Sequence, residues 1–498
     1  MYLHSHANKW GLRSFVVANQ SNSVLPISDN YLLEAPTQTK CMISQSSFQV
    51  CRVPDRIVSF LMRELDHPGG RKVILKNAGK DSTGDFDLIH SIDILDKWLE
   101  PSKHLGDVDT SVVANEDPTP KAKEGSQKGL YQKPKLSHCI NISDFESVAQ
   151  NLMKKTSWNY YSTGSDDEFT LRENSQSFQQ IRFRPKVMVN VEHVDISTNF
   201  LGSRTSAPIY ISATAHAKIA DPEGEVTLAR ASNKHDIIQM IPLYSSFPLG
   251  DITKAREPDR TQWFQVYVKK DRNVTRRAIE NAEKHGCKAL CITVDNPHLG
   301  SRERVLRLQQ SEADEDGDDD EFEDLPATEL DPSLIMNSTL SWDDISWFRS
   351  ITKMAIVLKG VQRVDDVVKA AECGIEAVIL SNHGGRQLDY SEPPIEVLAE
   401  VMPTLRELGL HDKIEVYLDG GIRRGSDILK ALCLGARGVG IGRPFLYAMA
   451  GYGQKGVEKA IRIYKDELER NMRLVGCTSL DQLHPGLVKV LGQVRQKL

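Results

Sequence analysis

Eight short apolar runs, each rich in β-branched residues, constrain this chain more than any other feature. They read PIYISA (208–213), IIQMI (237–241), QWFQVYV (262–268), ALCITV (289–294), AIVLK (355–359), AVILS (377–381), VYLD (416–419) and GVGIG (438–442). Helix-like segments lie between them. DPEGEVTLARASNK begins on an Asp cap with Pro in the first turn, and RNVTRRAIENAEKHG, RVDDVVKAAECG and RGSDILKALCLG each end on Gly. Those are the residues that start and stop helices. Strands alternating with helices specify a parallel sheet. Eight such units in about 250 residues make a closed (β/α)8 TIM barrel, an α/β fold. An open doubly wound sheet is the alternative, but it carries a Gly-rich first turn that is missing here.

The barrel does not use the whole chain of 498 residues. Residues 1–55 are rich in Ser, Asn, Thr and Gln without sustained periodicity, and are expected to be disordered. Before Asp29 they hold no acid and only Lys9 and Arg13 as bases, which is a weak organelle-targeting pattern. Residues 56–104 look like a small α+β module. Residues 105–137 are polar with Pro and Gly and suit a linker. The barrel region then fills 138–498. Within it, Glu312 to Asp324 holds ten acids and no base, so the loop 309–330 is expected to be solvated and disordered. Overall charge is -6, and without that run the remainder turns net positive. Nothing here marks a nucleic-acid footprint. No apolar stretch approaches the roughly 20 residues of a membrane helix. The eight cysteines form neither a zinc pattern nor a disulfide framework.

In such a barrel the active site lies at the C-terminal ends of the strands. The first run ends in Thr214 and Ala215. The third carries Gln265 and Tyr267. The fourth carries Thr293 and ends in Asp295, with Arg302 beyond. The fifth ends in Lys359. The sixth ends in Ser381, with His383 and Arg386 following in SNHGGRQLD. The seventh ends in DGGIRRG, Asp419 to Gly425, and the eighth in Gly442 and Arg443. Polar and titratable groups thus converge on one rim. The glycine turns after the last two strands stand where barrels of this kind bind phosphate, so the ligand is expected to be phosphorylated, with Lys359 near its middle. His383 suits a proton acceptor near neutral pH, and Asp295 suits its orienting carboxylate. Arg386 and Arg302 could grip a carboxylate through paired hydrogen bonds.

The stretch SNHGGRQLDYSEPPIEVLAEVMP, together with YYSTGSDDEFTLREN, QWFQVYV, TVDNPHLGSRE, KGVQRVDDV and DGGIRRGSDILKALCLGARGVGIGRPFLY, closely resembles the FMN-dependent α-hydroxy acid dehydrogenase/oxidase family. The resemblance runs from about Ile140 to Gly476. It implies that His383 takes a proton from a 2-hydroxy acid, with Asp295 as its partner and Tyr267 near the substrate hydroxyl. It implies that Tyr160, Arg386 and Arg302 contact the substrate. It assigns Thr214, Ala215, Gln265, Thr293, Lys359 and Ser381 to the flavin, and Asp419, Gly420, Gly421, Ile422, Arg423, Gly442 and Arg443 to the FMN phosphate end. The glycines after His383 are expected to let the backbone pass close to the flavin ring. Tyr244 falls where family members set substrate size, and Pro242 where they often supply a hydroxyl to the flavin.

DHPGGRKVILKNAGKDSTGDFDLIHSIDILDKWL resembles the haem-binding part of cytochrome b5, which implies that His67 and His90 are axial ligands of a haem b iron. The first half of that module is not visible in the sequence. The combined resemblance implies oxidation of an L-lactate-like 2-hydroxy acid to the 2-oxo acid. Electrons would pass from FMN through haem to a cytochrome c-like acceptor. It further implies a homotetramer, and the mitochondrial intermembrane space or the cytoplasm as its compartment. No nucleic-acid or membrane partner is expected. The same flavin chemistry without a working haem, and a non-catalytic barrel that only binds, are the alternatives.

Overall fold

The computed structural model describes residues 131–308 and 337–491, and before them the backbone of five strands between residues 30 and 107 and the helical residue Phe86. The haem-ligand candidates His67 and His90 and the acidic loop 309–330 lie outside the described residues. The chain divides into two units, Met1–Tyr131 and Gln132–Leu498.

In the first unit, strands β1 (Asn30–Glu34) and β2 (Lys40–Ser44) pair antiparallel. Strands β3 (Phe48–Val53), β4 (Arg56–Leu61) and β5 (His104–Asp107) form an antiparallel sheet in that order. The β3–β4 pairing, Phe48 opposite Leu61, carries this sheet across residue 56.

The second unit opens with helices α1 (Ile142–Leu152), α2 (Lys155–Ser162) and α3 (Phe169–Gln176). A short strand β6 (Ile181–Phe183) and a hairpin of β7 (Thr198–Phe200) and β8 (Ser203–Thr205) follow. Then comes the barrel: β9 (Ile209–Ile211), β10 (Ile238–Pro242), β11 (Gln262–Val266), β12 (Ala289–Thr293), β13 (Ala355–Val361), β14 (Ala377–Leu380), β15 (Glu415–Asp419) and β16 (Gly438–Ile441). All pairings are parallel, and β16 closes on β9 with Val439 opposite Ile209. Each strand falls on one of the eight apolar runs. They read as continuous apolar stretches because both faces are covered.

Around the barrel lie α4 (Gly224–His235), α5 (Leu249–Lys254), α6 (Arg272–Lys284), α7 (Ile345–Ile351), α8 (Val364–Glu372), α9 (Pro394–Glu407), α10 (Gly425–Leu434) and α11 (Arg443–Val475). One start differs from the sequence expectation. Asp221 and Pro222 do not open α4. They sit in the turn before it, where Asp221 accepts from the Glu223 N–H at 3.0 Å and from Thr227 Oγ1 at 3.0 Å. The helix begins only at Gly224, whose φ of +43° suits glycine. A second departure is a kink in α11 at Tyr452 and Gly453.

The barrel's inner volume is filled from alternate strands. Tyr210 on β9, Trp263 on β11 and Tyr417 on β15 meet Phe200 from the hairpin, and all four are fully buried. Ring centroids stand 5.0 Å apart for Phe200–Tyr417, 5.2 Å for Tyr210–Trp263 and 5.5 Å for Trp263–Tyr417. Such layering from alternate strands is how these barrels pack. The glycines of GVGIG make room for it: a Cβ on Gly438 would come within 2.2 Å of the Phe200 ring, and one on Gly440 within 2.6 Å of Tyr210.

Candidate active site

Above this aromatic floor the strand ends turn polar. His383 lies just past β14, with Nδ1 2.9 Å from Asp295 Oδ1 and Nε2 3.2 Å from the Tyr267 hydroxyl. Asp295 follows β12 and Tyr267 follows β11, so three strands aim at one imidazole. The Asp295 side chain is 1% exposed. Burial pushes its carboxyl up, but the charge and hydrogen bond of His383, with Lys359 nearby, outweigh burial and hold it below the usual carboxylate range. An ionised Asp295 makes Nδ1 the protonated nitrogen and leaves Nε2 as an acceptor. Burial pushes the Tyr267 phenol up to about 12, keeping it a donor.

The backbone here is strained. His383, Gly384 and Gly385 have φ of +58°, +65° and +72°. A Cβ on Gly385 would meet the Leu171 N–H nitrogen of α3 at 2.6 Å, and one on Gly384 would meet Arg443 Nη1 at 2.8 Å. These glycines are thus required by left-handed backbone and by packing against α3 and Arg443.

At the mouth's centre, Lys359 Nζ donates to Ser381 Oγ at 3.0 Å and lies 3.2 Å from Asp419 Oδ2. Ser381 in turn donates to Asp419 Oδ1 at 2.6 Å. All three are buried. Burial pushes the Lys359 ammonium down, but Asp419 and Asp295 outweigh that and hold it charged. Gln265 Nε2 donates to Thr293 Oγ1 at 2.8 Å and its carbonyl accepts from the Leu243 N–H at 3.3 Å. Thr214 and Ala215 line the same rim half-buried.

On the other side of His383, Arg302 and Arg386 both sit over the Tyr160 ring, at 5.3 and 5.2 Å from its centroid. Burial and the neighbouring Arg386 push the Arg302 guanidinium down to about 10. Two guanidinium groups sharing one ring call for an anion between them. Arg302 Nη1 and Asp295 Oδ2 are buried without a hydrogen-bond partner, so a donor and an acceptor remain for a ligand.

The last two strands supply the glycine turns. Gly420 and Gly421 have φ of +97° and +80°, and a Cβ on Gly421 would lie 1.8 Å from the Asn174 carbonyl oxygen. Ile422 is buried. Arg423 pairs with Glu146 of α1. Gly442 is the residue before α11, which starts at Arg443 just past β16. The Arg443 guanidinium donates to the carbonyls of Tyr161, Thr163 and Gly384 at 2.7, 2.9 and 2.8 Å. Two of its five N–H donors remain for an anion. The donor set fits FMN: an ammonium and an amide for a carbonyl-bearing ring, and glycine N–H groups, a helix N-terminus and Arg423 for a phosphate.

Several residues that shape the site were not singled out from sequence. Asn382 and Asn174 exchange hydrogen bonds of 2.8 and 2.7 Å while buried. Gln387 Nε2 donates to the carbonyls of Asp295 and His298 at 2.9 and 2.8 Å, tying the motif to the loop after β12. Asp389 caps α3 from far along the chain, accepting from Phe169 and Thr170 N–H at 3.2 and 2.8 Å. Gly360, with φ of +106°, lies in the bulge of β13 where a Cβ would come within 2.4 Å of Asp295 Cγ. The first three lie in or opposite SNHGGRQLD, the only signal they give.

Residues 149–490 match the family model described as FMN-dependent dehydrogenase. Residues 60–109, which include His67 and His90, match the cytochrome b5-like heme/steroid binding domain. The chain is 48% identical over 424 residues to an L-lactate dehydrogenase (cytochrome) of Wickerhamomyces anomalus, covering 85% of this chain and 74% of that protein. It is 45% identical over 437 residues to an L-lactate dehydrogenase (cytochrome) of Saccharomyces cerevisiae, with the same shares covered. Among solved structures, a double mutant of flavocytochrome b2 with pyruvate bound superimposes with a TM-score of 0.68 at 47% identity, covering 72% of this chain and 88% of that one.

Proposed function

Because the chain belongs to the FMN-dependent dehydrogenase family, we propose that its barrel mouth binds an L-2-hydroxy acid between Arg302, Arg386 and His383 and oxidises it to the 2-oxo acid. The observation that carries this is the geometry around His383: an imidazole held by a buried carboxylate, facing two arginines that share one tyrosine ring. The substrate carboxylate lies between the guanidinium groups, which fixes the carbinol carbon beside His383. Tyr267 marks the position of the substrate hydroxyl. Nε2 of His383 takes the proton that the acid gives up, and Asp295 stabilises the imidazolium that results.

FMN, when bound, accepts the two electrons and the second hydrogen that leave the substrate. Lys359, Ser381, Gln265, Thr293, Thr214 and Ala215 would hold its ring. Asp419 orders Lys359, while Gly420, Gly421, Ile422, Arg423 and the start of α11 at Gly442 and Arg443 would hold its phosphate. His67 and His90 would hold a haem b in the N-terminal module, which would supply the onward path for electrons to a cytochrome c-like acceptor. On this reading residues 56–104 form the haem half, 105–137 the linker and 138–498 the flavin half of a homotetramer. Such an acceptor would be met in the mitochondrial intermembrane space.

A visible spectrum tests the proposal. Flavin absorption and a haem Soret band, both changed on anaerobic addition of L-lactate, are expected. Reduced flavin without any haem band would remove the haem half, and absence of flavin would remove both.

A further inference from the structure

Two rings along from His383, past Tyr267 and Tyr244, lies a lysine that the chemistry above leaves idle. Lys269 stands three residues past β11 and is 8% exposed. Its Nζ hydrogen-bonds the Tyr244 hydroxyl and lies 4.8 Å from the centre of the same ring. Burial alone pushes the ammonium down to about 8, and no carboxylate among the described residues pairs with it.

Tyr244 sits midway along a wall of rings. Tyr160, His216, Tyr244, Tyr267 and His383 follow one another with centroids 6.0, 6.4, 5.7 and 6.3 Å apart. One end of this wall carries the two arginines and the other carries the base. On the hydroxy acid reading, an acid held at the arginines and at His383 presents its C2 substituent to the rings between them, Tyr244 among them. The Tyr244 oxygen accepts from the Lys269 ammonium, so its own proton is left to donate. A methyl group there gives that proton no acceptor, and a buried donor without one is costly. An oxygen there completes the chain from ammonium through phenol to substrate.

We propose that Lys269, acting through Tyr244, selects 2-hydroxy acids that bear an oxygen on the carbon next to the carbinol over those that bear only hydrogen there. The inference rests on the hydroxy acid reading given above. L-glycerate and L-lactate differ only by that oxygen, so the ratio of their kcat/KM values measures the effect. The wild-type protein is expected to favour L-glycerate about tenfold, the size of one well-made hydrogen bond at a buried site. Tyr244→Phe and Lys269→Met should each bring the ratio to about one, through a higher KM for glycerate, with FMN still bound. Should Lys269→Met fail to fold, Tyr244→Phe removes the same donor with less disturbance. A wild-type preference for lactate would overturn the proposal, and so would variants that shift both acids equally. Failure of either acid to reduce the wild-type flavin would instead overturn the enzyme reading itself.

Discussion

The same eight strands build two regions of opposite character. The floor is dry and aromatic, filled by Phe200, Tyr210, Trp263 and Tyr417, with glycines placed to admit the rings. The mouth is polar and strained, with buried charges, three consecutive left-handed residues and atoms left without partners. Close packing makes the floor a source of stability. The mouth holds groups that a folded chain alone has no use for, and their arrangement makes sense only with ligands. The contrast states which substitutions should cost stability and which should cost chemistry.

The largest effect is expected at the mouth. His383→Gln should keep FMN bound but lower turnover of L-2-hydroxy acids by about 10⁴-fold, the upper range for a positioned general base. Steady-state kinetics on flavin-loaded protein check this, and near-normal turnover would remove His383 as the base. On the floor, Trp263→Ala should lower stability by about 3 to 5 kcal/mol through the cavity it opens, read from denaturant melts, while kcat of the folded fraction stays within a factor of about two. If instead kcat collapsed with stability intact, the division between floor and mouth would not hold. Arg386→Lys should lower kcat/KM by roughly 10- to 100-fold, mainly through KM, because a single ammonium cannot replace a charged fork on the carboxylate.

Smaller effects test the border between the regions. Asp389→Ala removes the cap of α3 and should cost about 1 kcal/mol, with a smaller loss of turnover than any mouth variant. Asp295 gives a pH signature. Its carboxyl is held below the ordinary range in the folded protein, so its contribution is fully present above the unfolded value of about 4. That contribution fades as pH falls through the depressed folded value. Asp295→Asn should flatten the acid limb of a stability-versus-pH curve, and an unchanged limb would show that other carboxylates set it.

Much of this was legible from sequence because barrel strands carry their signal locally. Each run of β-branched residues is short, bounded by helix caps and buried on both faces, so all eight strands could be located and their ends read for chemistry. The convergence of His383, Asp295, Tyr267 and Lys359 followed from strand order alone. Contacts between segments far apart in sequence were not legible. Nothing in SNHGGRQLD shows that Asn382 needs Asn174, or that Asp389 is a helix cap. Gly360 sits in a bulge that only the register of β13 against β14 reveals. Nor does the sequence show that Arg443 also ties three backbone carbonyls together. The start of α4 slipped because Asp221 prefers to close a turn.

Helix α3 has a further consequence. It is bound to the loop that carries His383 by Asp389 at its start, by Gly385 against Leu171, and by Asn382 through Asn174, the last pair 208 residues apart. The mould for the catalytic loop is thus made before the first barrel strand and must wait for the sixth. On a ribosome adding about 5 to 20 residues per second, that wait is roughly 10 to 40 s. Through that interval the nascent chain carries one buried-type asparagine, Asn174, and a bare helix end whose partners have not yet been synthesised. A fragment beginning at β9 could still close its barrel, but its histidine loop would have nothing to be cast against.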